Sequence, residues 1–219
     1  MPDDPPIRAV LYDLDGTLAD STELIMRCWR HTMATHRGDC PPDDEWLAGF
    51  GTPLEVQMRR FARSDAEAAE MIATYRDHQE EHQAAYLRPF PGAAETVAEL
   101  ARRGVGLAIV TSRYRRSTLN SLDRCGITAH FPVVITPEDV ANPKPHPDPV
   151  HAALERLGVS PAEALFVGDS PHDLAAGRAA GTFTAGALWG PFPREALERE
   201  HPDHLLRRQE DVLGIVGGG

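Results

Sequence analysis

The sequence predicts an α/β fold: a doubly wound parallel sheet interrupted, after its first strand, by an all-helical insertion. Three observations predict it. Apolar segments of strand length (Val105 to Val110, Val133 to Ile135, Leu165 to Val167, Thr182 to Leu188) follow helical patterns that end at Gly104, Gly126, Gly158 and Gly181. Glycine past a helix end supplies the left-handed cap that returns the chain to a strand, and helix–strand alternation implies a parallel sheet covered on both faces. Residues 20–88 carry helical spacing and no strand signal. The apolar run Ile7 to Tyr12, ahead of them, reads as a buried strand belonging with the later half. The expected division is a Rossmann-like core of residues 1–19 and 89–219 with a helical cap of residues 20–88.

The first strand ends in Asp13-Leu14-Asp15-Gly16-Thr17-Leu18, where Gly16 frees the backbone to turn. Two carboxylates ~4 Å apart would repel by about 4 kcal/mol at an effective dielectric constant of ~20, which implicates a cation. Asp20-Ser21-Thr22-Glu23 predicts a helix start, with an acid three residues after a capping residue. Leu24, Ile25, Cys28, Trp29 and Met33 recur at helical spacing to about His36, before Gly38 and Pro41-Pro42 break the pattern. A short segment around Glu45 to Leu47 leads to the loop Gly49-Phe50-Gly51-Thr52-Pro53. Leu54, Met58 and Phe61 mark another helix, and Asp65 to about Leu87 a longer one. Pro89-Phe90-Pro91-Gly92 reads as the hinge back to the core.

In an open parallel sheet, ligands bind beyond the carboxyl ends of the strands. Asp13 and Asp15 follow the first strand, Thr111-Ser112-Arg113 the strand ending at Val110, and Asp169-Ser170-Pro171-His172-Asp173 the strand ending near Gly168. Lys144 lies in a segment held extended by Pro143, Pro145, Pro147 and Pro149. An oxygen-rich set of four aspartates suits a hard divalent ion, Mg²⁺ before Zn²⁺. Hydroxyls and amides at Thr111 and Ser112 can hold phosphoryl oxygens, and Lys144 can neutralise them. One carboxylate can then attack phosphorus while another moves the proton.

These four stretches, Asp13-Leu14-Asp15-Gly16-Thr17-Leu18, Ile109-Val110-Thr111-Ser112, Lys144-Pro145 and Gly168-Asp169-Ser170-Pro171-His172-Asp173, resemble the ordered motifs of the haloacid dehalogenase superfamily. The resemblance covers nearly the whole chain, the helical insertion included. It implies Asp13 as nucleophile and Asp15 as acid/base, with Lys144 aligning nucleophile and phosphate. It also implies Mg²⁺ held by the Asp13 side chain, the Asp15 carbonyl oxygen and Asp169, with Asp173 supporting. Thr111 and Ser112 would bind the phosphoryl group, and Gly16 and Arg113 join that phosphate-binding set. Within the superfamily the chain looks most like the phosphoglycolate phosphatase and pyrophosphatase group, through Gly51-Thr52-Pro53-Leu54-Glu55, Pro89-Phe90-Pro91-Gly92 and Thr184-Ala185-Gly186-Ala187-Leu188-Trp189-Gly190. Arg113 departs from the lysine common in relatives; since the charge is kept, only fine positioning should differ.

A metal-dependent phosphatase for a small phosphate monoester is therefore expected, with inorganic pyrophosphatase or, less favoured, sugar phosphomutase as alternatives. A dehalogenase proper would use the first aspartate without a metal, and a non-catalytic module would have lost one of Asp13, Asp15, Lys144 or Asp169. The cap loop is expected to choose the leaving group, with Phe50, Gly51 and Thr52 as substrate contacts.

The net charge of −11 argues against nucleic-acid or anionic-membrane partners. Residues 1–6 show no basic-then-apolar pattern of a secretory signal, and no run spans a membrane. A cytoplasmic monomer or homodimer acting on a small phosphorylated substrate is expected. Cys28, Cys40 and Cys125 have no paired spacing and read as packing residues. His78 and His82 sit one helical turn apart, but in so polar a stretch they read as a solvated helix face. Trp29, Trp46 and Trp189 read as packing residues.

Overall fold

The structure, a computed structural model, describes residues 7–217. The stretch 1–6, where the sequence shows no secretory pattern, lies outside the described residues.

The chain runs β1 (Ala9–Tyr12), β2 (Ala19–Asp20), α1 (Thr22–Arg37), α2 (Asp43–Leu47), α3 (Leu54–Phe61), α4 (Asp65–Tyr86) and β3 (Arg88–Pro89). It continues through α5 (Ala93–Arg102), β4 (Gly106–Val110), α6 (Arg115–Arg124), β5 (Val133–Ile135) and α7 (Asp148–Leu157). The last elements are β6 (Ala164–Gly168), α8 (Pro171–Ala180), β7 (Phe183–Ala187), α9 (Arg194–Glu198), β8 (His204–Leu206) and α10 (Val212–Val216).

Six strands form one parallel sheet in the order β5-β4-β1-β6-β7-β8. Taken in order of appearance this is the doubly wound arrangement, and the direction of winding reverses between β1 and β6. The predicted fold class is the observed one. Alternation of side chains explains how β1 can be apolar throughout. Val10 and Tyr12 join the cluster beneath α5, α6 and the inserted helices, while Ala9 and Leu11 join the cluster beneath α7 and α8.

The insertion is bracketed by β2 and β3, which pair antiparallel with Asp20 opposite Arg88. Both strands are too short and polar to give a sequence signal. The predicted helices appear with ends shifted by a residue or two. Asp20 does not cap α1: Ser21 holds that position, and its hydroxyl makes no capping bond. Sequence patterning stopped short of β8, α9 and α10. β8 has only three residues between Pro202-Asp203 and Arg207-Arg208, and it draws its place from pairing with β7. Cys28 and Cys125 are buried as expected, but Cys40, next to Pro41-Pro42, is exposed and is not a core packing residue. Among the described residues, no helix is long and apolar enough to cross a membrane.

Candidate active site

The reversal between β1 and β6 leaves a crevice at the carboxyl ends of these strands, and their terminal loops deliver Asp13 and Asp169 into it. Gly16 holds φ at +81°, and a Cβ there would collide with the Asp169 carboxylate. Gly190 presses on Asp169 in the same way, so two bare backbone positions make room for one buried acid. Thr17 completes this wall: its hydroxyl donates to Asp169 Oδ1 at 2.6 Å. The Thr17 carbonyl in turn accepts from Trp189 Nε1 at 2.9 Å and Gln209 Nε2 at 2.6 Å. Trp189 is thus more than the packing residue read from the sequence.

One carboxylate oxygen each of Asp13, Asp169 and Asp173 lies within 4.8 Å of the others, and all three residues are buried. Lys144 enters from the proline-rich segment. Its Nζ donates to Asp13 Oδ1 at 2.8 Å, Asp173 Oδ1 at 2.6 Å and the Val110 carbonyl at 3.0 Å. Burial works against its charge, yet Asp13 and Asp173 outweigh burial and hold the ammonium above the usual lysine range. The second oxygen of Asp173 belongs to the start of α8, accepting from Ser170 Oγ at 2.6 Å and Ser170 N at 3.1 Å. This reciprocal box is written in the spacing Ser170-x-x-Asp173, a helix-start signal within the same motif.

Burial pushes Asp13 up to about 7, the nearby Lys144 notwithstanding, and pushes Asp169 well above the usual carboxylate range. Three buried carboxylates served by a single ammonium carry excess negative charge, and a hard cation is the counter-charge that an all-oxygen donor set suits. The residues therefore fit such an ion, with Asp13, Asp169 and Asp173 as the side chains that would hold it.

The Asp15 carboxylate stands apart from this cluster; the resemblance assigned only its carbonyl oxygen to the metal. Ser21 Oγ donates to Asp15 Oδ1 at 2.5 Å. Arg113 grips the carboxylate through both oxygens, Nε to Oδ2 at 2.7 Å and an Nη to Oδ1 at 2.5 Å. The remaining Arg113 nitrogen donates to Ser117 at 2.9 Å and Ser121 at 3.3 Å. The guanidinium expected on phosphate is thus committed to Asp15. Ser117 continues outward to Gln79 of α4 at 2.9 Å, so the acid at the end of β1 is tied to the inserted helices. Ser21, Ser117 and Gln79 carry no motif, and only packing brings them together.

Thr111 is buried, and its Oγ1 accepts from the Arg113 backbone N–H at 3.1 Å. Ser112 donates to the Gly51 carbonyl at 2.6 Å, so one candidate phosphate ligand touches the inserted loop. Thr52 turns its hydroxyl onto the Gly49 carbonyl at 2.7 Å; its donor holds the loop together instead of reaching outward. Phe50 is buried but lines the cleft. That cleft, of about 280 Å³, runs from Asp13, Asp15 and Asp169 to a wall of Ile25, Trp46, Phe50, Leu54 and Tyr75. Arg76 and Arg116 stand at its rim, paired with Glu55 at 2.7 Å and Glu80 at 2.6 Å.

A family model described as haloacid dehalogenase-like hydrolase matches residues 10–187. Pyrophosphatase PpaX of Bacillus velezensis is 39% identical over 218 residues, 98% of each chain. Among solved structures, a haloacid dehalogenase-like family hydrolase from Streptococcus pneumoniae superposes with a TM-score of 0.80 at 26% identity, over 95% of this chain and 97% of that one. A Lactobacillus plantarum protein assigned as a phosphoglycolate phosphatase superposes with a TM-score of 0.85 at 27% identity, over 96% of this chain and 99% of that one.

Proposed function

Because the chain belongs to the haloacid dehalogenase-like hydrolases and is a phosphohydrolase of that family, we propose that it hydrolyses a small phosphate compound through a phosphorylated Asp13, with Mg²⁺ as its ion. The observation that carries this reading is Lys144 clamped between Asp13 and Asp173 beside a three-carboxylate cluster.

Lys144 fixes Asp13 Oδ1, which sets the direction of the other oxygen as nucleophile. Attack on phosphorus forms the Asp13 Oδ–P bond and breaks the bond to the leaving oxygen. That oxygen takes its proton from Asp15, which lines the same cleft. Water then attacks the phosphorylated Asp13, passes a proton to Asp15 and releases phosphate, restoring both carboxyl groups. In this reading Thr111 and Ser112 bind the phosphoryl oxygens, Ser112 exchanging the Gly51 carbonyl for substrate. When bound by Asp13, Asp169 and the Asp15 carbonyl, with Asp173 supporting, Mg²⁺ supplies positive charge that screens the attacking anion from its anionic target.

For the substrate, a phosphoglycolate-like monoester is supported by similarity to the Lactobacillus plantarum protein assigned as a phosphoglycolate phosphatase, and the apolar wall of the cleft accommodates a carbon-bearing leaving group. The second reading, inorganic pyrophosphate, is favoured by full-length similarity to a protein named for that activity. Arg76 and Arg116 are its anion-binding candidates, since their exposed ion pairs exchange partners at a cost of about 1 kcal/mol or less. Phosphate release with Mg²⁺, measured for pyrophosphate, phosphoglycolate and other small monoesters, separates the two by kcat/KM. Absence of release from every member, or release undiminished in Asp13→Asn, would end the proposal.

A further inference from the structure

The inserted helices carry a second set of metal donors, none of which lines the cleft. His78 and His82 stand one turn apart on α4 with Glu81 beside them, and one ligand atom from each lies within 4.8 Å of the others. Packing of α1 on α4 adds a third imidazole that no local spacing announces. The His31 ring stacks on His78 with centroids 4.1 Å apart and planes at 10°, and His78 stacks on His82 at 4.0 Å and 24°. Three adjoining imidazoles cannot all be protonated without mutual repulsion. Partial burial, then His31 and His82, hold His78 below the usual histidine range, and the neutral ring is the form that binds metal.

His82 is also prepared in its outer contacts. Its Nδ1 lies 3.0 Å from the His78 carbonyl. A proton on Nδ1 satisfies that carbonyl and leaves the lone pair on Nε2, the arrangement that metal-bound histidines typically make with a backbone carbonyl. Zinc–nitrogen bonds of ~2.0–2.1 Å in a tetrahedron place neighbouring donors roughly 3.4 Å apart. In this structure the three rings are stacked nearly parallel and His31 stands outside the group of donors within 4.8 Å, so binding requires the rings, which are half-buried or exposed, to turn inward.

We infer that His31, His78, Glu81 and His82 form a binding site for a divalent transition-metal cation of the Zn²⁺ type, which pins α1 to α4. Imidazole donors with one carboxylate suit that class and not Mg²⁺, so this site and the aspartate cluster select different ions.

The test is calorimetric titration of tag-free protein with Zn²⁺ at about pH 7.5, where imidazole is neutral, with Mg²⁺ present in excess. One Zn²⁺ equivalent is expected to bind, equally in wild type and in Asp169→Asn. His78→Ala and His82→Ala should each weaken binding by more than the ~10–100-fold typical of an outer-shell partner. His31→Ala should weaken it by at least ~10-fold on the same scale. None of the three should alter Mg²⁺-dependent phosphate release. Zn²⁺ should raise the Tm of wild type and not that of the His78→Ala/His82→Ala double variant. Unchanged affinity in the double variant would overturn the site, and unchanged affinity in His31→Ala would overturn the cross-helix assignment.

Discussion

Asp173 and Arg113 show how single residues join structure to chemistry. Asp173 spends one oxygen on the start of α8 and the other on Lys144, so removing it disturbs both a helix end and the lysine that holds Asp13. Asp13→Asn is the cleaner substitution. It keeps a hydrogen-bonding partner for Lys144 but cannot form the acyl phosphate, so turnover should be lost while circular dichroism and Tm stay close to wild type. Arg113 holds Asp15 through two parallel bonds, which lysine cannot reproduce even though it keeps the charge. Arg113→Lys should lower kcat by ~10-fold or more for an alkyl phosphate, out of the ~10²–10⁴-fold that proton transfer supplies. An activated aryl phosphate, whose leaving group needs no proton, should be little affected. An equal loss on both substrates would return Arg113 to the phosphate-binding role read from the sequence.

At the scale of elements, the decisive contact is the seam between the inserted helices and the sheet. Ser112 on Gly51, Ser117 on Gln79 and Arg116 on Glu80 all cross it. The loop 49–53 meets the site through its backbone, and Thr52 acts by holding that backbone in shape. Thr52→Ala should therefore raise KM for small phosphates, whereas Thr52→Ser, which keeps the hydroxyl, should restore it. A substrate contact through the threonine methyl would instead leave serine as impaired as alanine. Phe50→Ala removes part of the cleft wall and should change relative kcat/KM among leaving groups by ~10–200-fold, the range open to a pocket-sized change.

Across the whole molecule, insertion and sheet share one apolar cluster that runs from Trp29, Trp46 and Met71 to Tyr12, Ile109 and Val167. Trp29 stacks on Trp46 with centroids 4.5 Å apart, and both are fully buried. Trp29→Ala should cost about 3–5 kcal/mol and lower one common Tm read by far-UV and near-UV signals; separate transitions would show that the insertion melts alone. Metal and pH act at this scale too. Without a cation, burial raises Asp13 from an unfolded value near 4 to about 7. Across that window the native state binds the extra proton, so metal-free stability falls as pH rises. A bound cation removes that dependence by favouring the carboxylate. The gain in Tm from Mg²⁺ over EDTA should therefore grow from about pH 5 to about pH 7.5; a flat gain would contradict it.

The amino-acid sequence by itself determined the fold class, the helical insertion and the strand ends that meet at the crevice. These depend on local matters: apolar runs of strand length, glycines at helix ends, and the rule that open parallel sheets bind at their carboxyl edge. It also placed Asp13, Asp169, Asp173 and Lys144 at one edge, because each follows a recognisable strand or proline-rich segment. Tertiary structure alone decided what those groups touch. Asp15 could have faced the cluster, but packing delivers Arg113 and Ser21 to it instead. Ser117 and Gln79 lie on α6 and α4, and His31 meets His78 only because α1 lies against α4. Short polar elements such as β2, β3 and β8 likewise owe their conformation to partners distant in sequence. Contacts of that kind are set by the relative placement of whole elements, which local propensity does not encode.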